Sequence, residues 1–137
     1  MIATVGLRAR LPFVALALGT IALGLGVHWR GEALGPAVRD VIGDALWATM
    51  IAWWVGSLAP ARSLRVRSAA ALAICVVVEV SQLVHKPALD ALRSVRSAYL
   101  VLGSEFDPRD LAAYIAGVLG ATVLELAYRR FVCVGTA

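Results

Sequence analysis

The run from Ala69 to His85 is apolar enough to enter a lipid bilayer, yet it carries Glu79, with Gln82 three residues further on. A carboxylate near the centre of a membrane helix costs about 2.5–3.5 kcal/mol on insertion scales. Whatever this chain folds into has to give that acid a partner or a purpose.

The rest of the chain favours the bilayer as solvent. Hydrophobic residues make up 61% of the 137 positions, charged residues 16%, and the mean hydropathy is +0.82. A soluble domain is about 45–50% apolar and about 25% charged. Long apolar runs added to those deviations indicate an integral membrane protein of one domain, residues 1–137. The net charge is +4 and the pI about 9.7. No basic cluster interleaved with aromatics accompanies that charge, so nucleic acid is not an expected partner. Cys75 lies in an apolar run and Cys133 near the C-terminus, without the spacing of a metal site or a disulfide. No cofactor or metal is expected.

Four spans are expected, at about 11–29, 41–59, 69–86 and 109–131. A signal peptide is the alternative for the first, but its apolar run is long and no clear cleavage pattern follows. Ala15 with Gly19, and Ala22 with Gly26, place small residues four apart. That stripe reads either as a close helix contact or as a featureless lipid-facing side. Residues 30–40 form a loop punctuated by Gly35-Pro36. The second span carries Asp44 near its start, and Trp53 and Trp54 towards its far end, where indoles favour an interface. A loop with Arg62, Arg65 and Arg67 leads to the third span. There Cys75, Glu79, Gln82 and Lys86 share one helical face, and Pro87 ends the helix. Between the third and fourth spans, residues 88–102 alternate apolar and polar at helical spacing and read as an interfacial amphipathic helix. Asp107 is placed to cap the fourth span, with Pro108 in its first turn. Ala113, Gly117 and Ala121 form a packing stripe, and Glu125 and Arg129 an i,i+4 pair. The expected fold is therefore all-α, a four-helix membrane bundle with an interfacial helix.

Four spans put the termini and the middle loop on one side. That side holds seven basic residues, Arg8, Arg10, Arg62, Arg65, Arg67, Arg129 and Arg130, and the other side six. The compact arginine triplet at 62–67 favours the first side as cytoplasmic. Asp44, Glu79, Gln82, Asp107 and Asp110, with Arg93 and Arg96, then gather at the outer end.

Several motifs occur in order: Gly43-Asp44 opening a span, V-E-V-S-Q at 78–82, L-R-x-x-R at 92–96, L-G-S-E-F-D-x-x-D-L-x-A-Y at 102–114, and I-A-G-V at 115–118. From about Gly43 to Glu125 they resemble a small bacterial membrane family of unknown function, labelled YjgA-like "ribosomal maturation" and similar to VanZ-like proteins. VanZ-like proteins are associated with glycopeptide resistance. The resemblance implies a fold and a place in the bacterial inner membrane, and it leaves the first span outside.

The candidate ligand-binding residues are Asp44, Glu79, Gln82, Arg93, Arg96, Asp107 and Asp110. Glu79 reads as a ligand-, ion- or proton-handling acid, or as a structural acid bonded to Gln82 or a neighbouring helix. Asp44 reads as its partner or as a carboxylate favoured by the helix N-terminus. Asp107 reads chiefly as a cap, while Asp110 is open between the two uses. Arg93 and Arg96 would grip a phosphate or snorkel to a solvated face. His28 and His85 lack metal-binding spacing, and no nucleophile elbow, phosphate loop or dinucleotide fingerprint is present. Three functions follow. The first is a module that binds a cell-envelope lipid headgroup or small ligand. The second is a small enzyme on such a lipid, with Glu79 or Asp44 as general acid/base. The third is a structural subunit of a homo-oligomer or a larger membrane complex.

Overall fold

The computed structural model of the chain describes residues 2–83 and 107–134, and the side chains of 6–83 and 107–131. Among the described residues four α-helices carry the fold: α1 Ile2–Arg30, α2 Pro36–Leu58, α3 Leu64–Ser81 and α4 Pro108–Val134. Among the described residues there is no strand. The amphipathic helix expected at 88–102, and with it Arg93 and Arg96, lies outside the described residues.

Helix ends follow local chemistry, and there the observed bounds depart from the expected ones. A 3-10 turn, Gly31–Leu34, joins α1 to α2, and the chain reverses at Gly35, whose φ of 74° is open to glycine at little cost. Pro36 then starts α2 five residues ahead of the expected 41, because its fixed φ suits a first helical turn. Ser63 accepts a hydrogen bond from the Val66 N–H at 3.4 Å, so α3 begins at Leu64 instead of 69. Arg65 and Arg67, expected in a loop, are thus in the helix. The helix ends at Ser81, earlier than the expected 86, where the Gln82 N–H turns back to the Glu79 carbonyl at 3.1 Å. Asp107 caps α4 as expected: its Oδ1 accepts from the Arg109 N–H at 2.9 Å, with Pro108 opening the helix.

Helix α2 is the hub and packs on α1, α3 and α4; α3 also packs on α4. Ala45 and Thr49 of α2 meet Gly117, and Trp53 meets Ala121, so α2 and α4 run parallel. Arg67 meets Glu125 and Glu79 meets Tyr114, so α3 runs against α4. One core cluster joins Ala48, Ala71, Cys75, Tyr114 and Val118. A second joins Ala17, Trp53 and Ala121. The stripe on α4 is a packing surface: a methyl group on Gly117 would collide with the Ala45 carbonyl. Thr49 Oγ1 donates across the same contact to the Gly117 carbonyl at 3.0 Å. The stripe on α1 is not used in this way. Ala15, Gly19, Ala22 and Gly26 are exposed, and the face bearing Phe13 and Ala17 meets α2 instead. Trp53 corrects another expectation. It is 4% exposed and stacks at a tilt on Phe13, 6.4 Å between centroids, as part of the core and not of an interface.

Among the described residues three helical stretches are long and apolar enough to cross a membrane: Gly6–Leu34, Pro36–Leu58 and Pro108–Phe131. Helix α3 is not among them, since its eighteen residues include Arg65, Arg67 and Glu79.

Candidate functional site

Polar side chains collect at the two ends of the α3–α4 contact, and the two collections differ in kind. At one end stands Glu79, with none of its surface exposed. Its Oε1 accepts from the backbone N–H of Asp107 at 2.9 Å. Its Oε2 accepts from the Tyr114 hydroxyl at 2.9 Å and from the Gln82 amide nitrogen at 3.2 Å. Every one of these donors is neutral. The face that carries Glu79 runs through Arg67, Ala71, Cys75, Glu79 and Gln82, each buried. Helical spacing along α3 aims all five inward.

Asp44 and Asp110 join this end from α2 and α4. Each acts electrostatically on the other, and Glu79 is an electrostatic neighbour of both. Asp40 also acts on both aspartates, and Asp107 on Asp110. The Trp47 indole packs at a tilt on Tyr114, 5.4 Å between centroids, and closes the side towards the core. Two polar atoms here are buried without a hydrogen-bond partner among the described residues, Gln82 Oε1 and Trp47 Nε1. Gln82 is 3% exposed, and its free oxygen adds a further acceptor to a region already rich in them. Five of the seven candidate residues, Asp44, Glu79, Gln82, Asp107 and Asp110, are thus brought together. Asp107 is engaged there as a cap and through its backbone.

The opposite end is built on Glu125, 9% exposed. Its Oε1 accepts from the Arg67 guanidinium, and from Arg129 Nε at 3.0 Å and Nη2 at 2.6 Å. Arg67 is 3% exposed and lies 5.0 Å from the centre of the Phe13 ring, a cation–π contact. Gly56 makes room for it, since a Cβ there would stand 2.6 Å from Phe13 and 3.0 Å from Arg67. The Ser68 and Thr122 hydroxyls bond at 2.8 Å one turn further along. Arg67 is the residue that sequence reasoning missed. Its place four residues before Ala71 and eight before Cys75, in line with Glu79, was the available signal.

What the acidic end can do chemically follows from its imbalance. The donors around Glu79 are neutral, so the carboxyls of α2, α3 and α4 present acceptors together with no cation paired to Glu79 among the described residues. Such a place suits a proton, a cation or a hydrogen-bond donor. Among the described residues no group of three His, Cys, Asp or Glu side chains has the arrangement to hold a metal ion.

No solved structure matches the chain. The family described as protein of unknown function (DUF2809) matches residues 34–118, from the 3-10 turn through the middle of α4. That span takes in Asp44, the whole of α3, and Asp107 to Tyr114, and stops short of Glu125. The match carries neither the YjgA-like label nor a kinship with VanZ-like proteins. With α2, α3 and the acidic end all inside the matched region, the chain belongs to the DUF2809 family of uncharacterised proteins.

Proposed function

We propose that this chain is a multi-pass protein of the bacterial inner membrane whose carboxyl-lined end, between α2, α3 and α4, binds the headgroup of a cell-envelope lipid or a related small ligand. The ligand presents a positive charge or several hydrogen-bond donors to that end. The observation that carries this reading is the meeting of Asp44, Glu79 and Asp110 from three helices, beside a buried amide oxygen with no partner. Ionisable groups held at membrane depth are costly, and they mark binding or transport sites when they converge. Asp44 and Asp110 face the ligand. Glu79, fully engaged by Tyr114, Gln82 and Asp107, sets the potential and holds α4 in place. Arg93 and Arg96, on the neighbouring connection in sequence, are assigned to a phosphate group of the same headgroup.

The fourth crossing is part of this reading. Of the three charges in α3, Arg67 and Glu79 point into the bundle and are partnered there, and only Arg65, in the first turn, is exposed. Eighteen helical residues reach about 27 Å, close to the hydrocarbon thickness of about 30 Å. The seven arginines on the other side, against one acid in Glu125, favour that side, with both termini, as the cytoplasmic one. A relation to VanZ-like proteins, drawn from the motifs, agrees with a role in the cell envelope.

The test is native mass spectrometry of the protein purified in mild detergent, as wild type and as Asp44→Asn with Asp110→Asn. The wild type is expected to carry a headgroup-selective lipid that the double variant loses while its melting temperature holds. Equal lipid profiles would overturn the reading.

A further inference from the structure

At the arginine end a small cleft opens between α2, α3 and α4. Its volume is about 10 Å³, and Ala52, Arg67, Ser68, Ala121, Thr122 and Glu125 lie around it. A cavity has to offer roughly 10–15 Å³, and two to four polar partners, before it holds one water molecule. Size alone therefore limits any occupant to something as small as water.

The polar atoms around the cleft narrow the choice further. Arg67 Nε is buried and has no hydrogen-bond partner, so one N–H donor is left over. Thr122 spends its hydroxyl hydrogen on the Val118 carbonyl at 2.8 Å. Ser68 must then donate to Thr122 across their 2.8 Å contact, which leaves the Ser68 oxygen free to accept. Glu125 receives both arginines on Oε1, and its Oε2 receives no bond among the described residues. The remainder is one donor and two acceptors. A water molecule is the complement of that set, because it accepts one bond and donates two. A halide or another small anion has no hydrogen to give and would stand beside the Glu125 carboxylate. A cation would meet the Arg67 guanidinium.

The geometry points to a single-water binding site in which the water accepts from Arg67 Nε and donates to Ser68 Oγ and Glu125 Oε2. This water completes the hydrogen bonding of a buried guanidinium and adds a further tie between α3 and α4 beside the ion pair and the Ser68–Thr122 bond. It is independent of the ligand reading for the acidic end.

The experiment is solution NMR of the full chain in detergent micelles, with arginine side chains labelled with nitrogen-15. Water cross-peaks to Arg67 Nε–H are read in nuclear and rotating-frame Overhauser spectra, whose relative sign reports a long-lived water. Wild type is expected to show such a cross-peak, and Ser68→Val to lose it and to melt at a lower temperature. Absence of the cross-peak in wild type overturns the site. A dry cleft would also show itself by a higher melting temperature for Ser68→Val, whose added methyl would fill a void. A shift of the Arg67 Nε–H signal on bromide titration, without a water cross-peak, would assign the place to an anion and overturn the proposal as well.

Discussion

Glu79 and Glu125 are two buried glutamates on neighbouring, opposed helices, and the fold treats them differently. Glu125 meets two guanidinium groups, so its charge is neutralised where it sits. Glu79 meets a backbone N–H, a phenol and an amide, so its hydrogen bonds are met without a cationic partner among the described residues. Satisfying a carboxylate and neutralising it are separate tasks. Where both are done, the result is a lock between helices. Where only the first is done, no cation offsets the acid, and Asp44 and Asp110 stand beside it as further carboxyl groups. That absence of a cationic partner among the described residues is why the ligand reading is placed at the Glu79 end.

The comparison breaks most easily by making the same change at both ends. Glu125→Gln strands the buried Arg67 charge, and removal of one partner from a buried pair costs about 3–5 kcal/mol. Denaturant unfolding in detergent is expected to show a loss near the lower figure, since the amide oxygen still accepts. Glu79→Gln keeps the volume and one acceptor, and puts an amide NH2 in place of the other oxygen. Its expected cost is about 1 kcal/mol, the scale of one hydrogen bond left poorly met. A larger loss for Glu79→Gln than for Glu125→Gln would reverse the assignment of lock and site.

Smaller effects sharpen the picture. Arg129 is 53% exposed and pairs with Glu125 at i,i+4, so Arg129→Ala is expected to cost no more than about 0.5 kcal/mol in the same measurement. The buried Arg67 then accounts for the strength of the lock. Asp44→Asn removes one acid from a group of neighbouring carboxyls and is expected to leave the melting temperature unchanged or slightly raised. A clear fall would make Asp44 a structural residue and weaken the contrast.

Gly117 bears on the idea of a subunit that docks through small residues. The stripe Ala113, Gly117 and Ala121 is spent inside the bundle, so a large residue at Gly117 tests folding and not assembly. The exposed small residues of α1 do no comparable work within the chain.

What could be read from the residues alone was whatever repeats along a single helix. The shared face of Cys75, Glu79 and Gln82, the Asp107 cap and the Glu125–Arg129 pair all follow from 3.6 residues per turn and from unpaired groups at helix ends. These are short-range matters, set by the backbone's own hydrogen bonding. The tertiary structure alone decided the long-range ones: Arg67 with Glu125 across 58 positions, and Tyr114 with Glu79 across 35. It also decided that the stripe of α4 packs while the similar stripe of α1 does not, and that Trp53 is core. Such choices depend on which helices meet and at what depth. Those depend on the summed packing of whole faces and on the cost of leaving a buried charge alone, which no local pattern contains.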